Sequence, residues 1–307
     1  LDREVILMLS NPLISNNYQE SYTTIDPFLA PPDSVDTDGD GVSDLALTQK
    51  EKELFGTYKF EGYKVYQLAD ASVGTNDLED ADKARLIKQV DIANDITILK
   101  NYEYNSEIEA DVPSKKTDEV NTGIEHSFNI TEDLFSKGDV RLINHKTYYY
   151  MVIAYAYNQF GDGFGNLQYI DGVYDPSANP PRLDGQKLPY LASRTSATGA
   201  VRVYEAIPHK IDLEQNGIQL NAKYGDGVEL TRIEGRGNGG NFASIKEDYL
   251  DSTEVPLELI KAKYEAGAGP VAIKVVDPLM IQPGSFTLAF KDSTKTGDLT
   301  KMYWILS

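Results

Sequence analysis

Cysteine is absent from the 307-residue sequence, and only three histidines are present. The lack of cysteine excludes disulfides, thiol nucleophiles and thiolate zinc sites. His126, His145 and His209 do not occur in an H-E-x-x-H or similar spacing that could place two imidazoles on one metal ion. A G-x-S-x-G motif is also missing. Nothing in the sequence indicates catalysis, and we expect a protein that is not an enzyme.

Basic residues are scarce as well. The sequence has 29 Lys plus Arg against 48 Asp plus Glu, for a formal net charge of -19. A surface of this charge repels a phosphate backbone or an anionic membrane. No apolar run is long enough to span a bilayer. We therefore expect neither a nucleic acid partner nor membrane insertion. Because the chain opens on Leu1 without a leader, we also expect it to be a piece of a longer protein.

The strongest local patterns have a period of two residues, as in 58–66 and 271–276, which is typical of strands. Clusters of Gly, Pro, Asn and Asp separate these segments. Helical periodicity is weak and confined to short runs, of which 80–90 and 243–250 could each form two or three turns. The pattern predicts an all-β fold made of two tandem β-sandwich domains with few short helices.

The stretch 161–199 has little apolar periodicity and is rich in turn residues, so we place the domain junction there. We predict a first sandwich over 1–175 with a long insertion at about 16–55. A linker over 176–199 and a second sandwich-like domain over 200–307 follow.

One predicted strand, 148–157, is apolar or aromatic on both faces. A strand of this kind needs cover on both sides. We expect the second cover to come from the acidic segment 16–55 or from the second domain.

The segment 36–44 reads DTDGDGVSD and matches the first nine positions of an oxygen-ligand calcium loop. A glycine, Gly41, lies where such loops turn sharply. Three clustered aspartates would repel one another without a cation. The expected ligands of Ca²⁺ are the side chains of Asp36, Asp38, Asp40 and Asp44 and the carbonyl of Val42.

A calcium sensor is excluded by two features of this segment. Position twelve of the loop is Leu47 instead of a bidentate glutamate. Prolines at 27, 31 and 32 prevent a preceding helix. Two interpretations remain, a constitutive calcium clamp and a solvated acidic turn.

Two further patterns are weak. Gly235, Gly237 and Gly240 form a G-x-G-x-x-G pattern, but the surrounding sequence lacks the α/β unit that a dinucleotide site requires, and a tight turn or bulge explains the glycines. The 20 tyrosines either pack within strands or form a platform for sugar rings.

The segments FEGYKVYQLADASV and LINHKTYYYMVIAYAYNQFGDG resemble the middle and penultimate strands of a fibronectin type III domain. Val5–Pro12 resembles its second strand. The resemblance implies a tyrosine corner at Tyr148. It also implies core-facing side chains at Tyr150, Val152, Ala154 and Ala156, and long insertions at 16–55 and 78–122.

The aspartate loop resembles a thrombospondin type 3 calcium repeat. Together with AIPHKIDL, YGDGVELTRIEGRGNGGN and GPVAIKVVDPLMIQPGSFTLAF, the chain resembles large multidomain proteins that Bacteroidetes export by type IX secretion. The resemblance implies an extracellular, cell-surface module with a structural or adhesive role. Its expected partners are calcium, other domains of the same long chain, and a surface protein or glycan. The alternative is a carbohydrate-binding module of a secreted polysaccharide-degrading protein.

Overall fold

The structure, a computed structural model, describes residues 1–26, 34–35, 42, 45–46, 57–94, 96, 98–118, 121–158, 169–170, 173–174, 188–196, 199–211, 219–227, 273–292 and 302–307. The chain divides into two compact units, Leu1–Lys210 and Ile211–Ser307. The described regular structure is antiparallel strand apart from two 3-10 helices, Tyr18–Glu20 and Thr75–Asp77. The predicted all-β fold is confirmed.

The period-two segment 58–66 lies within a strand, Thr57–Leu68, whereas the described part of 271–276 has only an isolated bridge at Lys274. In chain order they are β1 (Val5–Met8), β2 (Thr23–Ile25), β3 (Ser34–Val35), β4 (Leu45–Ala46), β5 (Thr57–Leu68), β6 (Ala84–Asp91), β7 (Ile98–Asn105), β8 (Ala110–Asp118), β9 (Ser127–Ile130), β10 (Tyr148–Asn158), β11 (Tyr169–Ile170), β12 (Val173–Tyr174), β13 (Tyr190–Ala192), β14 (Thr195–Ser196), β15 (Gly199–Ala200), β16 (Tyr204–Ala206), β17 (Leu288–Asp292) and β18 (Met302–Leu306).

Two sheets build the sandwich of the first unit. The larger has six strands: β5 pairs with β2, β6 and β10, and β10 pairs in turn with β13 and β16. The smaller is the antiparallel pair of β1 and β9. β13 and β16 lie along opposite ends of β10, at Tyr155–Tyr157 and Tyr148–Tyr150.

The long strands β5 and β10 form the centre of the larger sheet. Their register shifts at one point, where Gly62 faces Tyr155 and Phe60 faces Ala156. Glu61 is therefore the extra residue of a β-bulge. Its side chain is buried, so the bulge places a carboxylate inside the protein.

The inner face of the larger sheet packs on β1 and β9. Tyr148 and Tyr150 contact Val5 and Ile130 in one apolar cluster. Val65 of β5 packs in a second cluster with Phe128, Val152 and Ala154. The side chains of Tyr150, Val152 and Ala154 thus face the sandwich interior, as the fibronectin resemblance implies.

The outer face of β10 is covered too. Met151 and Ile153 pack against Val73 and Ala84, with Val201 and Val203 alongside. Tyr155 and Tyr157 pack against Ile96, Leu99 and Tyr190. Val201 and Val203 lie in the range predicted for the second domain, whereas the rest of the described cover comes from residues 73–99 and from Tyr190. The sequence predicts cover from the segment 16–55 or from the second domain, and of the described cover only Val201 and Val203 fall in these ranges. Alternation shows that a face needs cover but not which segment supplies it.

Two further expectations differ from the structure. Residues 84–91 are strand β6, not helix, because pairing with β5 overrides a weak helical period. The predicted linker 176–199 contains β13, and β16 lies beyond its end, yet both pair with β10. The first unit consequently continues to Lys210.

The described part of the second unit contains one hairpin, in which β17 pairs with β18. An isolated bridge joins Gly227 to Lys274. The glycine pattern at 235–240 lies outside the described residues.

Candidate calcium site

The predicted calcium loop lies between β3 and β4. Asp36, Asp38, Asp40 and Asp44 are outside the described residues. Val42 is described and is 64 % exposed. β3 and β4 pair in antiparallel register, with Val35 opposite Leu45. The two residues that flank the segment 36–44 are therefore direct neighbours.

A second ladder lies outside the first. β2 pairs with the start of β5, with Ile25 opposite Thr57. The insertion between these strands, residues 26–56, thus leaves the sheet and returns to it at adjacent positions. The pairing of β3 with β4 lies within this insertion. Two antiparallel pairings, β2 with β5 and β3 with β4, therefore flank the candidate loop in the sequence.

Side-chain hydrogen bonds hold the chain that leads into β2. The hydroxyl of Tyr63 accepts hydrogen bonds from Asn11 Nδ2 at 2.7 Å and Asn17 Nδ2 at 2.9 Å. Asn17 Oδ1 accepts a further bond from the Tyr22 N–H at 3.1 Å. Burial, together with the charge of Glu20, raises the pKa of Tyr63 to about 12. The hydroxyl thus stays protonated and keeps a proton to donate.

The three histidines have different hydrogen-bond partners, although His145 and His209 lie on adjoining segments of backbone. His126 Nε2 lies 2.6 Å from Glu20 Oε1 in an exposed pair. The ring of His209 contacts the carbonyl oxygen of Ile207 at 3.0 Å, and the backbone of His145 donates to Pro208. Among the residues that the structure describes, no three His, Asp or Glu side chains are grouped to hold a metal ion.

Two buried carboxylates that the sequence did not single out lie beside the bulge. Both carboxylate oxygens of Glu61 accept hydrogen bonds from Asn94 Nδ2, at 2.9 and 3.0 Å. Asp91 Oδ1 accepts a bond from the Asn121 N–H at 2.8 Å, and Asn121 Oδ1 accepts one from the Asn94 N–H at 3.2 Å. Amide groups of Asn94 and Asn121 donate to these carboxylates, so the group ties both residues to the sheet.

Comparison with protein-family models, with curated proteins and with solved structures gave no match to this chain. Within the described ranges, no helix is both long and apolar enough to cross a membrane.

The aromatic residues separate into two groups. Most tyrosines of β5 and β10, including Tyr58, Tyr63, Tyr150 and Tyr155, are buried and serve strand packing. An exposed aromatic pair lies instead on the hairpin of the second unit, where Phe290 faces Trp304 across the ladder. Phe290 is 52 % exposed and Trp304 is 66 % exposed. Trp304 is the one tryptophan of the sequence. The sequence pattern around it predicted a strand but did not indicate which face of that strand would be exposed to solvent.

Proposed function

We propose that the chain is a non-catalytic structural or adhesive module of a larger exported cell-surface protein, and that one bound calcium ion stabilises it. The ladder between β3 and β4 is the observation that carries the calcium proposal, since it holds the two ends of the ligand-bearing segment together. Coordination then adds to a loop that is already closed. The proposed ligands are side-chain oxygens of Asp36, Asp38, Asp40 and Asp44 and the carbonyl oxygen of Val42.

The ion would act on the insertion 26–56. A long insertion loses conformational entropy when it is ordered. Coordination offsets this loss and neutralises aspartates that otherwise repel one another. Extracellular sites of this kind bind calcium at about 10⁻⁴ to 10⁻³ M, which suits a constitutive clamp better than a switch.

A fibronectin type III-like first unit fits this role. Sheets that place β6, β5 and β10 side by side, opposite β1 and β9, support it. Tyr148 is the first residue of β10, and its hydroxyl accepts a hydrogen bond from the backbone N–H of Ile143, five residues earlier. A tyrosine corner has this arrangement. Such sandwiches serve widely as spacers and contact modules on cell surfaces.

The proposed location is the exterior of a Bacteroidetes cell, reached by type IX secretion, with other domains of the same long chain, a surface protein or a glycan as partners. The absence of cysteine suits a fold stabilised by packing and an ion. Labelling intact cells with an antibody against this chain tests the location. A signal that requires permeabilised cells would contradict surface display.

Calcium binding is tested by calorimetric titration with CaCl₂ and by thermal melting with and without a chelator. We expect binding heat and a higher melting temperature in calcium, and the double substitution Asp38→Ala, Asp40→Ala should abolish both. The matched control is Asp80→Ala, Asp82→Ala, which removes two aspartates of the same spacing from an exposed loop. It should keep the calcium response. If the wild-type protein gives no binding heat with CaCl₂ and no change in melting temperature, the proposal of a calcium clamp is wrong.

A second candidate function, carbohydrate binding, is favoured by the exposed pair of Phe290 and Trp304. Flat aromatic rings next to each other on an open strand face can stack on sugar rings. Tyr104 and Tyr204 of the first unit are exposed too, but their cross-strand neighbours are Asp111 and the buried Tyr150, so neither faces a second exposed ring across its ladder. Screening on a polysaccharide array should give hits that Trp304→Ala removes. Tyr303→Ala, on the opposite face of the hairpin, should retain them, and an array without hits would refute this candidate.

A further inference from the structure

We draw no further inference here: the strongest candidate, the turn Pro12–Ser15 that holds the side chains of Leu13 and Ile14 77 % and 80 % exposed above the hydrogen-bonded Asn11, Asn17 and Tyr63, is an unpartnered apolar patch, and nothing in the structure shows what covers it.

Discussion

The hydroxyl of Tyr148 accepts a hydrogen bond of 2.9 Å from the backbone N–H of Ile143, five residues before it. The bond ties the loop before β10 to the strand itself. Tyr150 lies on the same face of β10 and is fully buried, but its hydroxyl has no hydrogen-bond partner among the described residues. Burial raises the pKa of Tyr150 far above its ordinary value. Two tyrosines of one strand face therefore differ in what their hydroxyls contribute.

Removing each hydroxyl separates these roles. Tyr148→Phe leaves the Ile143 N–H without its acceptor and should lower the free energy of unfolding by about 1 kcal/mol. Tyr150→Phe removes a buried polar atom that lacks a described partner and should leave stability unchanged or raise it. Urea unfolding of both variants measures the difference. A loss for Tyr150→Phe as large as that for Tyr148→Phe would contradict the contrast.

Gly62 is the residue of β5 that a side chain would disturb most directly. A Cβ there would lie 2.6 Å from the Tyr155 hydroxyl oxygen and closer still to the carbonyl oxygen of Val90. The carbonyl is backbone and cannot rotate away, so Gly62→Ala should destabilise the protein by about 3 kcal/mol. The control is Gly138→Ala, since a Cβ at Gly138 meets nothing within 4 Å. Equal unfolding midpoints for the two variants would show that the sheet adapts to the added methyl.

Lys64 is a buried cation that joins the larger sheet to the hairpin of β7 and β8. Its Nζ donates a 2.5 Å hydrogen bond to the Lys116 carbonyl oxygen and lies 4.8 Å from the centre of the Tyr190 ring. Methionine at position 64 would keep the apolar stem but remove the donor to the Lys116 carbonyl oxygen. A buried acceptor left without its donor costs about 1–3 kcal/mol.

We expect Lys64→Met to speed amide hydrogen exchange in β8 and to lower the free energy of unfolding by about 2 kcal/mol. The control Lys88→Met removes a lysine of β6 whose side chain is half-exposed and lies 4.0 Å from Glu125. It should leave exchange in β8 as in the wild type. Unchanged exchange in Lys64→Met would show that other contacts hold the hairpin.

Asp133 is a buried carboxylate that accepts hydrogen bonds from Gln67 of β5 and from Lys146 in the loop before β10. Burial raises its pKa, but hydrogen bonds from Lys146 at 2.7 Å and Gln67 at 2.9 Å, with one from the Phe135 N–H, outweigh burial and lower the pKa below its usual value. The charged form is thus favoured by folding. Its stabilisation is present above the unfolded-state pKa of about 3.9 and is lost as the pH falls through the lower folded-state pKa.

Asp133→Asn should therefore cost about 3 kcal/mol at neutral pH, and the difference from the wild type should shrink as the pH falls below 4. The control is Asp139→Asn. Its carboxylate, paired with Arg141, has a pKa lowered to about 2, but the pair is exposed, so solvent screening leaves only a small effect. Urea unfolding between pH 2.5 and 7 tests both variants. A difference for Asp133→Asn that is independent of pH would show that lost packing, not charge, is responsible.

The fold class follows from the sequence alone, because a period of two residues is a local property that indicates strands. The inward face of β10 does not follow from alternation, since this strand is apolar or aromatic on both faces; the resemblance to fibronectin type III strands assigned Tyr150, Val152 and Ala154 to it. The calcium motif is likewise a matter of spacing along the chain, and it remains a sequence prediction that the nested ladders of β2 and β5 and of β3 and β4 support.

Which distant segments pair with β5 and β10, and which cover their outer face, became known from the three-dimensional structure. Residues 84–91 form β6 because they pair with β5. Leu99 and Val73 cover the outer face of β10. The first unit includes β16 and continues to Lys210. The buried carboxylates of Glu61 and Asp91 were hidden among 48 acidic residues. Their burial depends on a bulge and on amides far along the chain, and contacts of this range leave no periodic signal in the sequence.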